Sequence, residues 1–261
     1  DVIKIEPLNG EPSRIRAKVS GGASLPMAML NTNKRGITLN LKTAKGCELF
    51  KEMVKRADIV VENFAPGVMD RLGVGWSVLH ALNPRLIYGS GTGYGLSGPD
   101  RDNLAMDVTI QAASGIMSVT GTPDGPPLRA GASIVDFLSG VHLYAGIMTA
   151  LYERSQTGQG RLVEVSMQET AYPTLASNMG ITHKSVGVVP PRVGNRHGGL
   201  ALAPYNVYPA KDGYIAIVCV TEPHWRHLLA AMGREDLGTD PRFESNKLRV
   251  ENISATDDEI T

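Results

Sequence analysis

Only two cysteines occur in the 261 residues, Cys47 and Cys219, far apart and outside any CxxC or Cys/His spacing. That excludes a disulfide framework and a zinc site built on such ligands, and it fits a reducing cytosol. Excess charge is missing as well: 26 Lys plus Arg balance 26 Asp plus Glu. Without a global field to gather nucleic acid or an anionic membrane surface, the chain must hold any anionic ligand with local groups. No apolar run reaches the roughly 18 residues that span a bilayer. The opening DVIKIEP has neither the basic start nor the apolar stretch of a signal peptide. A cytoplasmic protein with no nucleic-acid or membrane partner is expected.

The rest of the composition is ordinary. Apolar residues make up 42% and charged residues 20%, with 29 glycines and 16 prolines. Those values describe a globular chain of one or two domains that can bury a real core.

Periodicity along the chain alternates between strand and helix. Val2 to Ile5 reads as a short strand ended by Pro7, and a polar loop follows. In NTNKRGITLNLKT, Ile37, Leu39 and Leu41 alternate as in a half-buried strand. Residues 43 to 57 place Leu49, Phe50, Met53 and Val54 at helical spacing, and ADIVVENF is a compact strand. A helix is expected to open at Ser77, and RLIYGSG supplies the next strand. Residues 132 to 157 form the longest helical segment, apolar over much of its circumference and stopped by Gly158; burial between a sheet and another layer is expected. RLVEV is a further strand. Such alternation predicts an α/β fold with a mostly parallel sheet, which binds ligands beyond the carboxyl ends of its strands.

Beyond about residue 185 the character changes. VGVVPPRVGNRHGGLALAP reads as a mobile connection, NVYPAKDGYIAIVCV as a hairpin around Lys211-Asp212-Gly213, and HWRHLLAAMG as a helix closed by Gly233. Two domains are therefore expected, a larger one over residues 1–185 and a smaller α+β one over 186–261. DVIKIEP begins like a strand without a lead-in and NISATDDEIT stops like the start of a helix, so a longer protein is expected.

Several segments invite a chemical reading. GSGTGYGLSGP contains one formal GxGxxG, at Gly93, Gly95 and Gly98, but Pro99-Asp100-Arg101 stands where a dinucleotide fold would start its helix. A tight loop that lets a ligand approach the bare backbone, or a plain surface turn, accounts for it better. In ENFAPGVMDRLG, Asn63 offers a donor and an acceptor, Phe64 an aromatic face and Arg71 a fork suited to phosphate; an exposed arginine and a core phenylalanine would look the same. None of the six histidines adjoins a serine or cysteine in a nucleophile-elbow context, and VSMQE lacks the glycines of GxSxG. Ser166-Met167-Gln168-Glu169 has the S-x-x-E form of a capping box. The same placement puts the Glu169 carboxylate in the first turn of a helix after a strand, where the helix's positive pole favours the charged form, and a charged carboxylate there can act as a nucleophile. Local pattern leaves both readings open.

Together these segments resemble the class III CoA-transferase family, which includes the formyl-CoA/oxalate, carnitine and bile-acid CoA-transferases and the α-methylacyl-CoA racemases. DVIKIEP, NKRGITLNLKT, ADIVVENFAPGVMDRLG, NPRLIYGSGTGYGLSGP, TGTPDGPPLRAG, TGQGRLVEVSMQE and GNRHGGLALAPYNVYPAKDGYIAI are similar to its successive signatures and cover essentially the whole chain. Members usually open with one more strand and helix and continue past the last residues here. The resemblance implies a Rossmann-like large domain, a small domain and two subunits interlocked as rings.

It also implies roles. Leu39, Lys42, Asn63, Phe64, Arg71 and Leu72 match positions that hold the nucleotide part of coenzyme A, and Thr92 and Gly93 match the passage of its pantetheine arm. A lysine found in some transferases at the Thr92 position is absent, and Pro7 stands where some have a phosphate-binding arginine. His197, Gly198 and Gly199 resemble the mobile glycine loop over the reactive intermediate. Glu169 matches the catalytic aspartate, with one more methylene. That moves the carboxylate by about 1 Å, a displacement that can cost on the order of 100-fold in rate. The implied reaction moves CoA from an acyl-CoA to a small carboxylic acid through an enzyme-bound thioester, without a metal. The alternatives are a racemase, isomerase or lyase of the same family, or a non-catalytic CoA-binding homologue. Against a racemase, Met106 stands where racemases have a histidine.

Overall fold

A computed structural model describes residues 1–16, 22, 24–184 and 192–261. Of the connection expected over residues 186–204, residues 186–191 lie outside the described residues. Two compact units emerge, one of residues 1–102 with 141–165, the other of residues 103–140 with 166–261.

The first unit begins with β1 (Val2–Glu6), α1 (Leu25–Asn31), β2 (Lys34–Thr38), α2 (Ala44–Val54), β3 (Ile59–Glu62), α3 (Val68–Arg71), α4 (Trp76–Leu82) and β4 (Ile87–Thr92). β1 and β2 pair in parallel, Val2 opposite Lys34 through Glu6 opposite Thr38. β3 and β4 also pair in parallel, Ile59 opposite Ile87 through Glu62 opposite Ser90. The unit also holds most of α7 (Ile134–Thr157) and most of β5 (Leu162–Ser166), which is hydrogen-bonded to β4 as the third strand of that sheet.

Both faces of β4 are covered, and this alternation organises the core. Leu86 and Tyr88 join Phe50, Val54, Val60, Met69, Val74 and Leu79 on one face. Ile87 meets Leu143, Ile147 and Ala150 of α7 on the other. Full burial of each such large side chain contributes about 2 kcal/mol. Gly89 lets α7 come close: a Cβ there would stand 2.8 Å from Ile147 Cδ1.

Two expectations need correction. β2 covers Lys34–Thr38, short of the expected stretch through Leu41; the Leu39 N–H still donates to Glu6 O at 2.9 Å, and Leu39 and Leu41 pack on the core around Phe50 and Val54. α7 spans the expected residues, and Gly158 ends it at φ 73. It is not buried all round. Phe137, Val141, Tyr144, Met148 and Tyr152 form an exposed stripe opposite the sheet-facing side. No layer among the described residues covers that stripe. By length and composition α7 could also cross a membrane, with a mean hydropathy of 1.5.

An ion cluster ties the loop after β1 to the strand. Glu6 is almost fully buried and accepts from Arg14 Nε at 2.6 Å and Arg14 Nη2 at 2.8 Å. The Glu11 N–H donates to it at 3.2 Å, and Lys4 Nζ lies 3.5 Å away. The Arg14 hydrogen bonds lead in pulling the Glu6 carboxyl from its ordinary 4.5 to about 2. A folded-state value below the unfolded one stabilises above the unfolded pKa and stops doing so as pH falls through the folded one. The melting temperature should therefore drop as pH falls from about 4.5 toward 2, and Glu6→Gln should flatten that part of the profile. An equal acid slope in both proteins would contradict this account.

The second unit contains α5 (Asp107–Ala113), α6 (Ile116–Val119), α8 (Met167–Ala171) and α9 (Ala176–Lys184), followed by an antiparallel hairpin of β6 (Tyr205–Ala210) and β7 (Gly213–Val218). α10 (Glu222–Met232), α11 (Asn246–Glu251) and α12 (Ile253–Ile260) complete it. Cys219, Trp225, Leu229, Leu237 and Phe243 form a core of their own beside the hairpin. As expected, Gly233 closes α10, at φ 66.

Candidate active site

In the first unit, the residues expected to hold the nucleotide end of a ligand lie at the carboxyl ends of the strands. Glu62 pairs with Ser90 as β3 ends, so the segment opening at Asn63 leaves the sheet beside the last residues of β4, Gly91 and Thr92. Asn63 is exposed, and the Phe64 ring is 48% exposed although its N–H is held by Glu62 Oε2 at 2.8 Å. Arg71 closes α3; its Nη1 would stand 3.1 Å from a Cβ on Gly67, whose φ of 77 begins that helix. Among the described residues neither the Arg71 guanidinium nor the Lys42 ammonium has an anionic partner. Both are exposed. Thr92 is buried, and its hydroxyl accepts from the Gly95 N–H at 2.9 Å, which shapes the turn that carries Gly93.

Beneath the loop from Phe64 to Gly67 is a small cavity of about 60 Å³, lined in part by Glu62, Asp70, Trp76, Tyr88 and Ser90. Burial comes first in pushing the Tyr88 hydroxyl above its ordinary pKa, with the negative charge and hydrogen bond of Glu62 adding to it. Ser90 Oγ is buried without a hydrogen-bond partner among the described residues.

Two contacts escaped the sequence reading. The Glu164 carboxylate accepts from the Leu96 N–H and so fastens the glycine turn to β5; the polar residue in LVEVS was its only signal. Cys47 Sγ lies 2.9 Å from the Leu41 carbonyl and 3.3 Å from the Leu72 carbonyl. Nothing in the local pattern announces a contact 25 residues away.

In the second unit, Ser166 caps the helix that follows β5, its Oγ accepting from the Glu169 N–H at 3.4 Å. The capping box stops there. The Glu169 side chain is exposed, and among the described residues its carboxylate accepts no hydrogen bond and faces no cation. His197 organises a turn: its Nδ1 accepts from the N–H groups of Gly199 at 3.1 Å and Ala201 at 3.3 Å, and its ring meets Tyr205 edge-on. Asn178 Nδ2 donates to the Gly198 carbonyl at 3.5 Å, and a Cβ on Gly198 would come within 2.9 Å of the Asn178 amide. Only a residue without a side chain fits there unless Asn178 gives way.

Met106 is exposed and offers no base. Asp107, beside it, is buried and fully engaged. Its Oδ1 accepts from Gln111 Nε2 at 2.5 Å, and its Oδ2 accepts from the N–H groups of Val135 at 2.9 Å and Asp136 at 3.2 Å, at the start of α7.

The first unit thus carries a glycine turn and two exposed cations without an anionic partner among the described residues, and the second unit carries an exposed carboxylate just after a strand. The chain belongs to CoA-transferase family III, whose model matches residues 1–261. It is 42% identical over 255 residues to acetyl-CoA:oxalate CoA-transferase of Acetobacter aceti, covering 97% of this chain and 65% of that one. Formyl-CoA:oxalate CoA-transferase of Streptomyces avermitilis is 37% identical over 270 residues, with the same two coverages of 97% and 65%. The crystal structure of a CAIB/BAIF family protein from Brucella suis superposes with a TM-score of 0.83 at 34% identity, over 100% of this chain and 69% of that one. The chain thus spans 65% of the length of these curated relatives.

Proposed function

We propose that this chain supplies the nucleophile and the CoA-binding surface of an acyl-CoA:carboxylate CoA-transferase. The observation that carries the reading is the Glu169 carboxylate, which is exposed and bound to nothing among the described residues, although its sequence context offered it a capping role. One Glu169 oxygen attacks the thioester carbonyl, the C–S bond breaks, and CoA thiolate leaves behind a mixed anhydride. The thiolate then attacks the Glu169 carbonyl carbon and releases the donor acid, giving a glutamyl-CoA thioester. The acceptor carboxylate attacks that thioester and expels the thiolate, which takes the acceptor's carbonyl carbon and frees Glu169. Backbone N–H groups of the glycine segments would stabilise the oxyanions. None of these steps requires a metal.

Lys42 and Arg71 supply positive charge for the phosphates of CoA, Asn63 and Phe64 a polar group and a ring for its nucleotide, with Leu39 and Leu72 packed beside them. Thr92 and Gly93 line the path of the pantetheine arm. His197, Gly198 and Gly199 form the loop over the intermediate. The proposal includes a Rossmann-like large domain over residues 1–185 and a smaller domain over 186–261, supported by the separate core around Trp225 and Phe243. It also includes an interlocked homodimer working in the cytoplasm. The apolar stripe on α7 favours such an assembly, because large exposed apolar patches mark interaction surfaces.

A racemase would need a second base at the α-carbon, and neither Met106 nor the engaged Asp107 supplies one. The names of the relatives make oxalate the first acceptor to test, with acetyl-CoA and formyl-CoA as donors. Incubation with each donor and a panel of short dicarboxylic acids should yield the acceptor's CoA thioester. Solvent deuterium entering the α-carbon of a branched acyl-CoA, with no CoA moved to any acid, would instead establish the racemase reading.

A further inference from the structure

We infer that Cys47 is a positioning residue for the nucleotide end of CoA, acting through the two segments that carry Lys42 and Arg71. This rests on the CoA reading above. The loop with Leu39 and Lys42 and the α3 end with Arg71 and Leu72 are separated in sequence, and the Cys47 thiol bridges them, 2.9 Å from Leu41 O and 3.3 Å from Leu72 O. Neither carbonyl accepts another hydrogen bond among the described residues. One thiol proton thus serves two acceptors as a three-centre bond, each carbonyl adjoining a residue proposed to touch the ligand.

The loop is also drawn tight where it enters α2. Thr43 Oγ1 donates to Asn40 O at 2.9 Å, the Lys42 N–H donates to Asn40 Oδ1 at 3.0 Å, and a Cβ on Gly46 would lie only 1.9 Å from Asn40 O. The backbone of residues 40–43 is therefore pressed onto α2, and Cys47 is where that clamp reaches α3. Cys47 is half-buried and packs against the core of Phe50, Val54 and Leu79. Its sulfur is aimed at backbone and lies behind the proposed ligand surface, so it acts through Lys42 and Arg71 and not by contact.

The test compares the wild-type protein with Cys47→Ala, Cys47→Ser and Arg71→Ala. Affinity is measured by calorimetry for CoA and for adenosine 3′,5′-bisphosphate, alongside kcat and KM for an acyl-CoA. Loss of a hydrogen bond of ordinary strength shifts an equilibrium about fivefold. Cys47→Ala should weaken both ligands by about that factor, raise KM to match and leave kcat within about twofold. Cys47→Ser, which keeps a donor, should restore affinity. If Arg71→Ala weakens binding while Cys47→Ala does not, or if Cys47→Ala lowers kcat and melting temperature with KM unmoved, the positioning role is overturned and the CoA site stands. Should Arg71→Ala leave both affinities unchanged, the CoA reading fails and this inference falls with it.

Discussion

Glu169→Ala is expected to lower CoA transfer by on the order of 1,000-fold or more, as loss of a covalent nucleophile does, and to move the melting temperature by no more than about 2 °C. The two halves of that expectation come from different observations. Activity should vanish because no other carboxylate of the unit is proposed to attack. Stability should hold because the side chain is exposed and accepts no hydrogen bond among the described residues, while the Ser166 cap depends on the Glu169 N–H, which alanine keeps. A capping role makes the opposite forecast: a loss of about 1 kcal/mol in stability with no transfer activity to lose. Ser166→Ala is the complementary variant, expected to weaken the start of the helix by about 1 kcal/mol and slow transfer only through misplacement of Glu169.

The second large effect concerns stability. Arg249 is 1% exposed and lies over the Trp225 ring, with its Nε donating to Ala203 O at 2.9 Å. Its Nη1 donates to Phe243 O at 2.8 Å and to Glu222 Oε2 at 2.9 Å, and its Nη2 to Glu222 Oε1 at 2.9 Å. Arg249→Ala would strip two buried carbonyls of their donor, leave Glu222 without its cation and with only the Asn246 N–H at 3.0 Å as a hydrogen-bond donor among the described residues, and open a void beside Trp225. Breaking a buried pair by removing one partner costs about 3–5 kcal/mol. Glu222 is partly wet, so the lower end applies, and urea unfolding should show a loss near 3 kcal/mol. A loss below about 1 kcal/mol would mean that the α10–α11 contact does not depend on this arginine. Arg234, which pairs with Asp236 and Glu259 at the surface, serves as the control and should matter little when replaced by alanine.

Much of the fold could be read from periodicity because several elements carry their own punctuation. Thr43 caps α2, Gly158 ends α7 and Gly233 ends α10, each by a local mechanism that a sequence window contains. β2 was placed a few residues late because Ile37, Leu39 and Leu41 alternate whether or not they pair; what decides is the ladder with β1, a long-range fact. α1 was missed although Ser24 and Pro26 announce it, since LPMAMLN follows a polar stretch that reads as loop. At the site, S-x-x-E is compatible with both a cap and a nucleophile; the Ser166 half of the cap forms, while the Glu169 carboxylate accepts no hydrogen bond among the described residues. Cys47 and Asp107 draw their roles from partners 25 and 28 residues away, which no local pattern encodes.

Whether acyl or CoA groups ever become bonded to Glu169 is the question that decides the account, and chemical trapping answers it directly. The protein is incubated with acetyl-CoA in the absence of acceptor, reduced with borohydride, digested and mapped by mass spectrometry. The account predicts that the peptide carrying Glu169 is converted to the alcohol only when acyl-CoA is present, and that adding oxalate before the reductant prevents it. An unmodified Glu169 peptide from protein that is actively transferring CoA would contradict it.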